Sequence, residues 1–193
     1  PFECPAPGAP PAACDLMRPV SMHLRLMRCG TAAWDRFAPH HYLSSSLHSQ
    51  AICHVALACD ATHDAAGWSH WHAAVGFVAS LPLPRNPKLH GTPAPRGAFR
   101  ESRLVVLPEL QGLGLGRRLS EAVAQLFVDR GIRYVSKAAH PRVAYRDSSG
   151  LWRATPDNGA LVRVAWDGKP LAKPRVCFNH EYTGGAAAAA GAE

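Results

Sequence analysis

The sequence predicts a mixed α/β fold in a single domain. Short apolar runs with strand character recur along the chain, and near its middle one run passes through a glycine-rich loop into an amphipathic helix. A chain of 193 residues that is 47% hydrophobic is long enough to bury one sizeable core. We expect the domain to span residues 21–183. Residues 1–20 are rich in proline and residues 184–193 in alanine and glycine, so we expect both ends to be disordered.

The first half of the domain contains three strand candidates. His23–Met27 alternates apolar and polar side chains, and the aromatic and leucine residues between positions 34 and 47 have a spacing that suits one or two short helices. The apolar runs 52–59 and 73–81 are separated by a polar stretch, which predicts a hairpin. Residues 82–99 contain five prolines and are expected to form a long loop.

The most informative motif lies between positions 103 and 119. Leu104–Leu107 is a short apolar run, and Pro108 ends it because proline has no amide hydrogen to donate to a ladder. Three glycines at alternate positions then allow a tight turn: Gly112, Gly114 and Gly116. Apolar residues at helical spacing follow: Leu119, Val123, Leu126 and Phe127. A helix N-terminus behind such a loop stabilises a bound anion, and Arg117 and Arg118 add positive charge, so the motif predicts a phosphate-bearing ligand.

Two common phosphate-binding motifs do not fit this spacing. A P-loop requires lysine and then serine or threonine after its last glycine, whereas Arg117 and Arg118 follow Gly116. A dinucleotide-binding fingerprint requires a third glycine where Arg117 stands, and residues 131–140 lack the acidic residue expected at the end of the second strand.

The segment 111–116, QGLGLG, follows a V-x-P strand end and resembles the Q/R-x-x-G-x-G/A signature of the GNAT superfamily of acyl-CoA-dependent N-acyltransferases. The run VGF at 75–77 fits a strand pattern common in that family. The resemblance implies a mixed, largely antiparallel sheet flanked by helices, with a splayed central parallel pair formed by strands 104–107 and 133–137. Residues 162–165 and 175–179 are expected to close the sheet as an antiparallel pair.

The resemblance implies acetyl-CoA as the co-substrate. The loop amides of residues 113–117 would hold the pyrophosphate, and the strand before the loop would pair its backbone with the pantetheine arm in the gap between the splayed strands. The cofactor-binding residues implied are Val105, Val106, Leu107, Gln111, Gly112, Leu113, Gly114, Leu115, Gly116 and Arg117. An ordinary glycine-rich turn without a ligand is the alternative.

Acetyl transfer to an amine requires that the amine lose a proton and that the leaving thiolate gain one. By resemblance, Tyr145 is the candidate general acid and Glu101 the candidate base, while His140, at the end of a strand, is a further candidate that titrates near neutrality. The alternatives are a packing tyrosine for Tyr145 and a backbone hydrogen bond for His140.

Histidines in the first half of the chain do not form a metal-binding pattern. His40-His41 and the pair His70 and His72 do not supply the three or four ligands that zinc requires, so we expect no metal site. We interpret the histidines and the aromatic residues near them as packing or substrate contacts. In the family, the region of the first helix, here residues 34–42, lines the acceptor side.

Charge and cysteine usage restrict the compartment and the partners. The formal charge of +7 and the pI near 9.4 favour anionic partners, with coenzyme A one candidate and nucleic acid an alternative that no motif supports. The six cysteines form no C-x-x-C pair, and no apolar run approaches the ~18 residues of a membrane span, so we expect free thiols and a soluble, cytoplasmic protein. The chain begins without methionine, which we interpret as a fragment or a processed product.

Taken together, these features predict an N-acetyltransferase that moves acetyl from acetyl-CoA to an unidentified amine by direct attack. The alternative is a non-catalytic acyl-CoA-binding or sensor domain, associated with a basic, nucleic-acid-containing assembly. The sequence identifies neither the amine nor the oligomeric state.

Overall fold

Eight strands form the sheet of this computed structural model, which describes residues 23–41, 46–59, 71–83, 97–164 and 170–184. The strands are β1 (His23–Cys29), β2 (Ile52–Cys59), β3 (Trp71–Pro82), β4 (Ala98–Val106), β5 (Arg133–Ala138), β6 (Trp152–Ala154), β7 (Ala160–Val164) and β8 (Pro170–Tyr182). The described helices are α1 (Leu115–Val128) and the 3-10 helices Thr31–Arg36, Ala38–His40, Pro108–Leu110 and Pro141–Ser148.

The strands lie in the order β1-β2-β3-β4-β5-β8-β6, and β7 pairs with β8. All of the pairs are antiparallel except β4 and β5, which run parallel. A parallel pair requires a crossover connection, and α1 supplies it between β4 and β5. The predicted fold class, a largely antiparallel sheet with one central parallel pair, is therefore confirmed.

Helices cover both faces of the sheet. Helix α1 buries Leu119, Val123 and Phe127 against one face, in a core that also contains Tyr134 of β5 and Trp152 of β6. On the other face, Trp34 of the first 3-10 helix and Phe37, which lies between the two 3-10 helices, are buried against the sheet, and Phe37 stacks on Phe77 with ring centroids 5.4 Å apart. Below, these are called the α1 face and the opposite face.

Several element predictions are confirmed, and others need correction. Strands β1, β2, β3 and β5 lie at the predicted positions, and the first helical region forms two 3-10 helices, the second beginning with the dipeptide Ala38-Pro39. The closing strands are longer than predicted, and β8 also pairs with β5 and with β6, a strand of three residues that the sequence did not predict. A 3-10 helix, Pro141–Ser148, follows β5.

Some predictions fall on residues outside the described ranges. They concern the two ends, which were predicted to be disordered, apart from Gly184, the connection between β2 and β3, most of the predicted loop 82–99, and the turn between β7 and β8. Tyr42, Trp68 and His70 also lie outside the described residues.

Candidate functional site

The parallel strands β4 and β5 separate near the middle of the sheet. They pair at four positions, from Ala98–Arg133 to Glu101–Ser136, and not beyond. A β-bulge lies at the same level: Ser80 of β3 faces Glu101 and Ala79 faces Arg103, so Ser102 is an extra residue in β4. A bulge of this kind bends its strand. The predicted splay is present, and we call the gap beyond Glu101 and Ser136 the split.

Backbone direction determines which groups of β4 face the split. The amide of Leu107 donates to the Val75 carbonyl of β3 at 3.0 Å, so by alternation the backbone groups of Val105 also face β3. The groups of Leu104 and Val106 then face the split. The Gln111 side chain donates to the Val106 carbonyl at 3.0 Å, which agrees with this direction.

This alternation refines the predicted cofactor-binding residues of the strand. Val106 presents its backbone to the split, but Val105 and Leu107 do not, and their side chains are buried in the core of the opposite face. Leu104, which was not among the predicted residues, also presents its backbone groups to the split. The period of two along a strand could have identified it.

The glycine loop has the geometry of an anion site. Gly112 and Gly114 adopt positive φ values of 87° and 76°, and a Cβ atom built on either glycine meets no atom within 4 Å. Helix α1 begins at Leu115, and the amide of Arg118 donates to the Gly114 carbonyl at 3.2 Å. The amides of residues 115–117 precede that bond and lack helical acceptors. The loop is therefore open, carries free donors and fits a phosphate group.

Gly116 brings the start of α1 against the split. Its Cβ position lies 3.7 Å from the Val106 side chain, so the loop and the gap-facing part of β4 are adjacent. Arg117 is exposed and ion-paired with Glu121 at 3.1 Å between Nε and Oε1. The Leu113 side chain is exposed, as are the loop glycines 112 and 114.

Tyr145 lies beside the start of α1. The Arg117 guanidinium is 5.0 Å from the centroid of the Tyr145 ring, a cation–π distance. The Tyr145 hydroxyl is buried and has no hydrogen-bond partner among the described residues. Burial raises the pKa of Tyr145, although the nearby Arg146 charge opposes the shift, so the phenol keeps its proton to a higher pH than an exposed tyrosine does.

A buried ion pair closes the α1 face at the beginning of the split. Arg146 donates from Nη2 to Glu101 Oε1 at 3.1 Å and to Ser120 Oγ at 2.7 Å, and from Nη1 to Ser136 Oγ. Ser120 and Ser136 in turn donate to the Glu101 carboxylate. The Arg146 guanidinium also lies 4.1 Å from the Trp152 ring centroid. This network joins β4, β5, α1 and the 3-10 helix 141–148.

The next residue along the 3-10 helix makes a hydrogen bond to the same row of the sheet. Asp147 Oδ1 lies 2.8 Å from Nε2 of His180, a buried residue of β8 that is the register partner of Ser136. Arg146 and Asp147 together fix the helix that carries Tyr145. Sequence reasoning did not identify Arg146 or His180, because the pairs join residues 33 or more positions apart.

Glu101 and His140, the predicted base and further catalytic candidate, both form hydrogen bonds with other groups of the protein. The Glu101 carboxylate accepts its three hydrogen bonds from Arg146, Ser120 and Ser136, which argues against its use as a base. Nδ1 of His140 accepts from the Arg142 amide at 3.2 Å and caps the 3-10 helix, as the alternative interpretation supposed.

The aromatic residues predicted to lie on the acceptor side are divided between core and surface. Trp34 and Phe37 are buried, His40 is exposed, and the His41 ring makes an edge contact with Trp34 at 5.6 Å. Within the described part of the chain, no three His, Cys, Asp or Glu residues are grouped to hold a metal ion. The same residues include no helix of the length and hydropathy needed to span a bilayer.

Comparisons with known proteins agree with this geometry. Residues 31–153 match the model of the acetyltransferase (GNAT) family. A comparison with curated proteins gives no match.

Among solved structures, the fold is similar to the IAA acetyltransferase from Bacillus cereus ATCC 14579, with a TM-score of 0.52 and 13% identity over 83% of this chain and 99% of that one. It is also similar to Arabidopsis thaliana NAA60 in complex with acetyl-CoA, with a TM-score of 0.52 and 12% identity over 83% and 98% of the two chains. Arabidopsis thaliana Naa50 in complex with the bisubstrate analogue CoA-Ac-MVNAL gives 0.53 and 11% over 83% and 98%. At these identities the likeness shows the fold.

Proposed function

This chain belongs to the GNAT acetyltransferase family, and we propose that it transfers an acetyl group from acetyl-CoA to an amine. The amine nitrogen attacks the thioester carbonyl carbon, the carbon–sulfur bond breaks, the amine loses a proton and the thiolate gains one. The observation that carries the proposal is the adjacency of an open anion-binding loop and a split in which β4 and β5 no longer pair with each other. A long ligand with a pyrophosphate and an amide-containing arm matches both. Family structures that contain acetyl-CoA support the choice of ligand.

The backbone would bind the cofactor. The amides of residues 113–117, at the positive end of α1, would donate to the pyrophosphate. The gap-facing groups of Leu104 and Val106 would pair with the pantetheine amides, as an added strand pairs with an edge. Gln111 would hold the end of β4 in place through its bond to the Val106 carbonyl.

Tyr145 is the proposed general acid that protonates the leaving thiolate. Its hydroxyl is buried without a partner among the described residues, and its ring lies beside Arg117 at the start of α1. The raised pKa keeps the phenol in the form that can donate a proton. Glu101 is better suited to position the Tyr145 helix through Arg146 than to act as a base. We assign deprotonation of the amine to water.

The acceptor would approach from the opposite face of the sheet. On the α1 face the beginning of the split is covered by the 3-10 helix 141–148, through the Arg146–Glu101 ion pair and the Asp147–His180 hydrogen bond. On the opposite face the same level of the sheet has the partly exposed side chains of Arg100 and Arg103 and the exposed Lys137.

Cys29, Cys53 and Cys177 are free thiols, which supports a reducing compartment such as the cytoplasm.

Two measurements on the same preparation test the proposal. The first is thermal unfolding with and without acetyl-CoA, with NADH as a phosphate-bearing control. The second is release of free thiol from acetyl-CoA in the presence of amines, including short peptides with free N-termini. A rise in Tm with acetyl-CoA but not NADH, followed by amine-dependent thiol release, supports the acetyltransferase. A rise in Tm without turnover favours a non-catalytic acyl-CoA-binding domain, and no rise contradicts both.

A further inference from the structure

Two arginines lie next to each other on the opposite face at the level of the split. In the pairing of β4 with β3, Arg100 lies opposite Leu81 and Arg103 lies opposite Ala79. The bulge at Ser102 keeps both arginine side chains on the opposite face of the sheet. Glu101, between them in sequence, points to the α1 face, where it meets Arg146. Strand β4 therefore carries the Glu101 carboxylate on one face and the two arginine side chains on the other.

Neither arginine has an acidic partner among the described residues. Arg103 donates to the Ser102 carbonyl at 2.9 Å, to the Ser102 hydroxyl and to the Ser46 carbonyl at 3.2 Å, all of which are neutral oxygens. Its Nε atom is buried and has no hydrogen-bond partner there. Burial and the Arg103 charge both lower the pKa of Arg100, so its positive charge is held at a cost in this position.

The nearby acids already have cationic partners. Glu181 is ion-paired with Arg133 and Arg153, and Asp157 lies 3.9 Å from Lys137. The sequence offers no local substitute, because it contains no Asp or Glu in residues 36–59 or 65–100. Partly buried like charges that have no counterion among the described residues are unfavourable, and an anionic ligand would relieve this.

We propose that Arg100 and Arg103 form an anion subsite that selects amine acceptors with a carboxylate close to the reacting nitrogen, such as the N-terminus of an acidic peptide. The inference rests on the proposed function, because it places the acceptor on the opposite face of the split. Two neighbouring guanidinium groups suit a carboxylate, because charge-assisted hydrogen bonds to this anion are stronger than those to a neutral acceptor. The subsite would hold the acceptor by its charge while the amine enters the split.

Direct binding tests the subsite without requiring turnover. The probes are two short peptides that differ only in having glutamate or glutamine next to the free N-terminus, measured by calorimetry with coenzyme A present. We expect the glutamate peptide to bind the unmodified protein at least about tenfold more tightly, with a preference that weakens as salt increases. R100Q and R103Q should each reduce the preference, and the double variant should abolish it.

R163Q is the matched control, because Arg163 is exposed on β7 and its removal changes the net charge equally. It should leave the preference intact. Equal affinity for the two peptides, or an equal loss in R163Q, would overturn the subsite. Tighter binding of a single-stranded oligonucleotide than of the glutamate peptide, lost in R100Q/R103Q, would overturn it in favour of nucleic acid. Thiol release measured in parallel distinguishes failure of the subsite from failure of the proposed activity. If the protein prefers the glutamate peptide but releases no thiol, the acetyltransferase proposal is contradicted and the anion subsite is supported.

Discussion

Arg146 and Glu101 form an ion pair in the interior of the protein, with Nη2 and Oε1 separated by 3.1 Å and the two side chains 0% and 7% exposed. Glu101 is the last residue of β4 to pair with β5, and Arg146 follows Tyr145 in the 3-10 helix. Burial alone would lower the pKa of Arg146, but Glu101 and Tyr145 together more than offset this and raise it. One pair thus joins the beginning of the split to the helix that carries the proposed acid.

Removing one partner of this pair should be strongly destabilising. R146Q or E101Q leaves the other group buried without its counter-charge, and we expect each to lower the free energy of unfolding by about 3–5 kcal/mol. The double variant should lose less than the sum, because neither charge is then left unpaired. Urea unfolding of the four proteins gives the coupling energy. The exposed pair Lys137–Asp157 is the control and should contribute no more than about 1 kcal/mol. A loss of unfolding free energy below about 1 kcal/mol for R146Q would contradict a stabilising role of the Arg146–Glu101 pair.

Tyr145 should affect turnover much more than cofactor binding. Y145F removes the proposed proton donor and keeps the ring on Arg117, so kcat should fall about 10²–10⁴-fold while the KM for acetyl-CoA changes little. In the unmodified enzyme, the raised pKa of Tyr145 should place the alkaline decline of kcat above the usual tyrosine range. A pH profile of Y145F with the same alkaline decline would assign that decline, and the general acid, to another group.

His54 should make stability depend on pH. Burial lowers the pKa of His54, and the charges of Arg28 and Arg130 lower it further, so the folded protein binds this proton less readily than the unfolded chain. Stability from this group is therefore present above the ordinary histidine pKa of about 6.5 and decreases as the pH falls below it. H54Q should flatten the dependence of the unfolding free energy on pH between neutral and mildly acidic conditions. An unchanged slope in H54Q would refute this assignment.

Gly76 permits α1 to approach β3 closely. A Cβ at Gly76 would lie 2.7 Å from Cδ2 of the buried Leu119 and 3.4 Å from the Val105 carbonyl. G76A should therefore cost about 1–3 kcal/mol by thermal or urea unfolding. G30A is the control, because Gly30 has φ −75° and no atom within 4 Å of a Cβ, and it should be neutral or slightly stabilising. Equal stability of the two variants would show that the core can move to accept the methyl group.

The sequence was sufficient for the parts of the site that depend on local chemistry. The turn from Pro108 to Gly116 is fixed by proline and glycine within a few positions, and its resemblance to a family signature implied the parallel pair around it. The structure contains both, and Gly112 and Gly114 adopt the positive φ values that only glycine adopts readily.

The parts that depend on distant residues were not predictable in this way. Arg146 and Glu101 are separated by 45 positions, and neither side chain has a local pattern that indicates a buried partner. The bulge at Ser102 also depends on the register with β3, and it decides that Arg100 and Arg103 share a face. Strand alternation alone would have placed them on different faces, because their separation is odd.

The most direct test of the central claim compares acetyl-CoA binding to two glycine variants by calorimetry. Gly114 lies in the proposed pyrophosphate loop and Gly159 in a turn elsewhere, yet both have φ 76° and no atom within 4 Å of a Cβ. G114E and G159E should therefore lose similar stability from backbone strain, but only G114E places a carboxylate where phosphate would bind. We predict that G159E binds acetyl-CoA like the unmodified protein and that G114E does not bind it measurably. Unimpaired binding by G114E would show that the loop does not hold the cofactor.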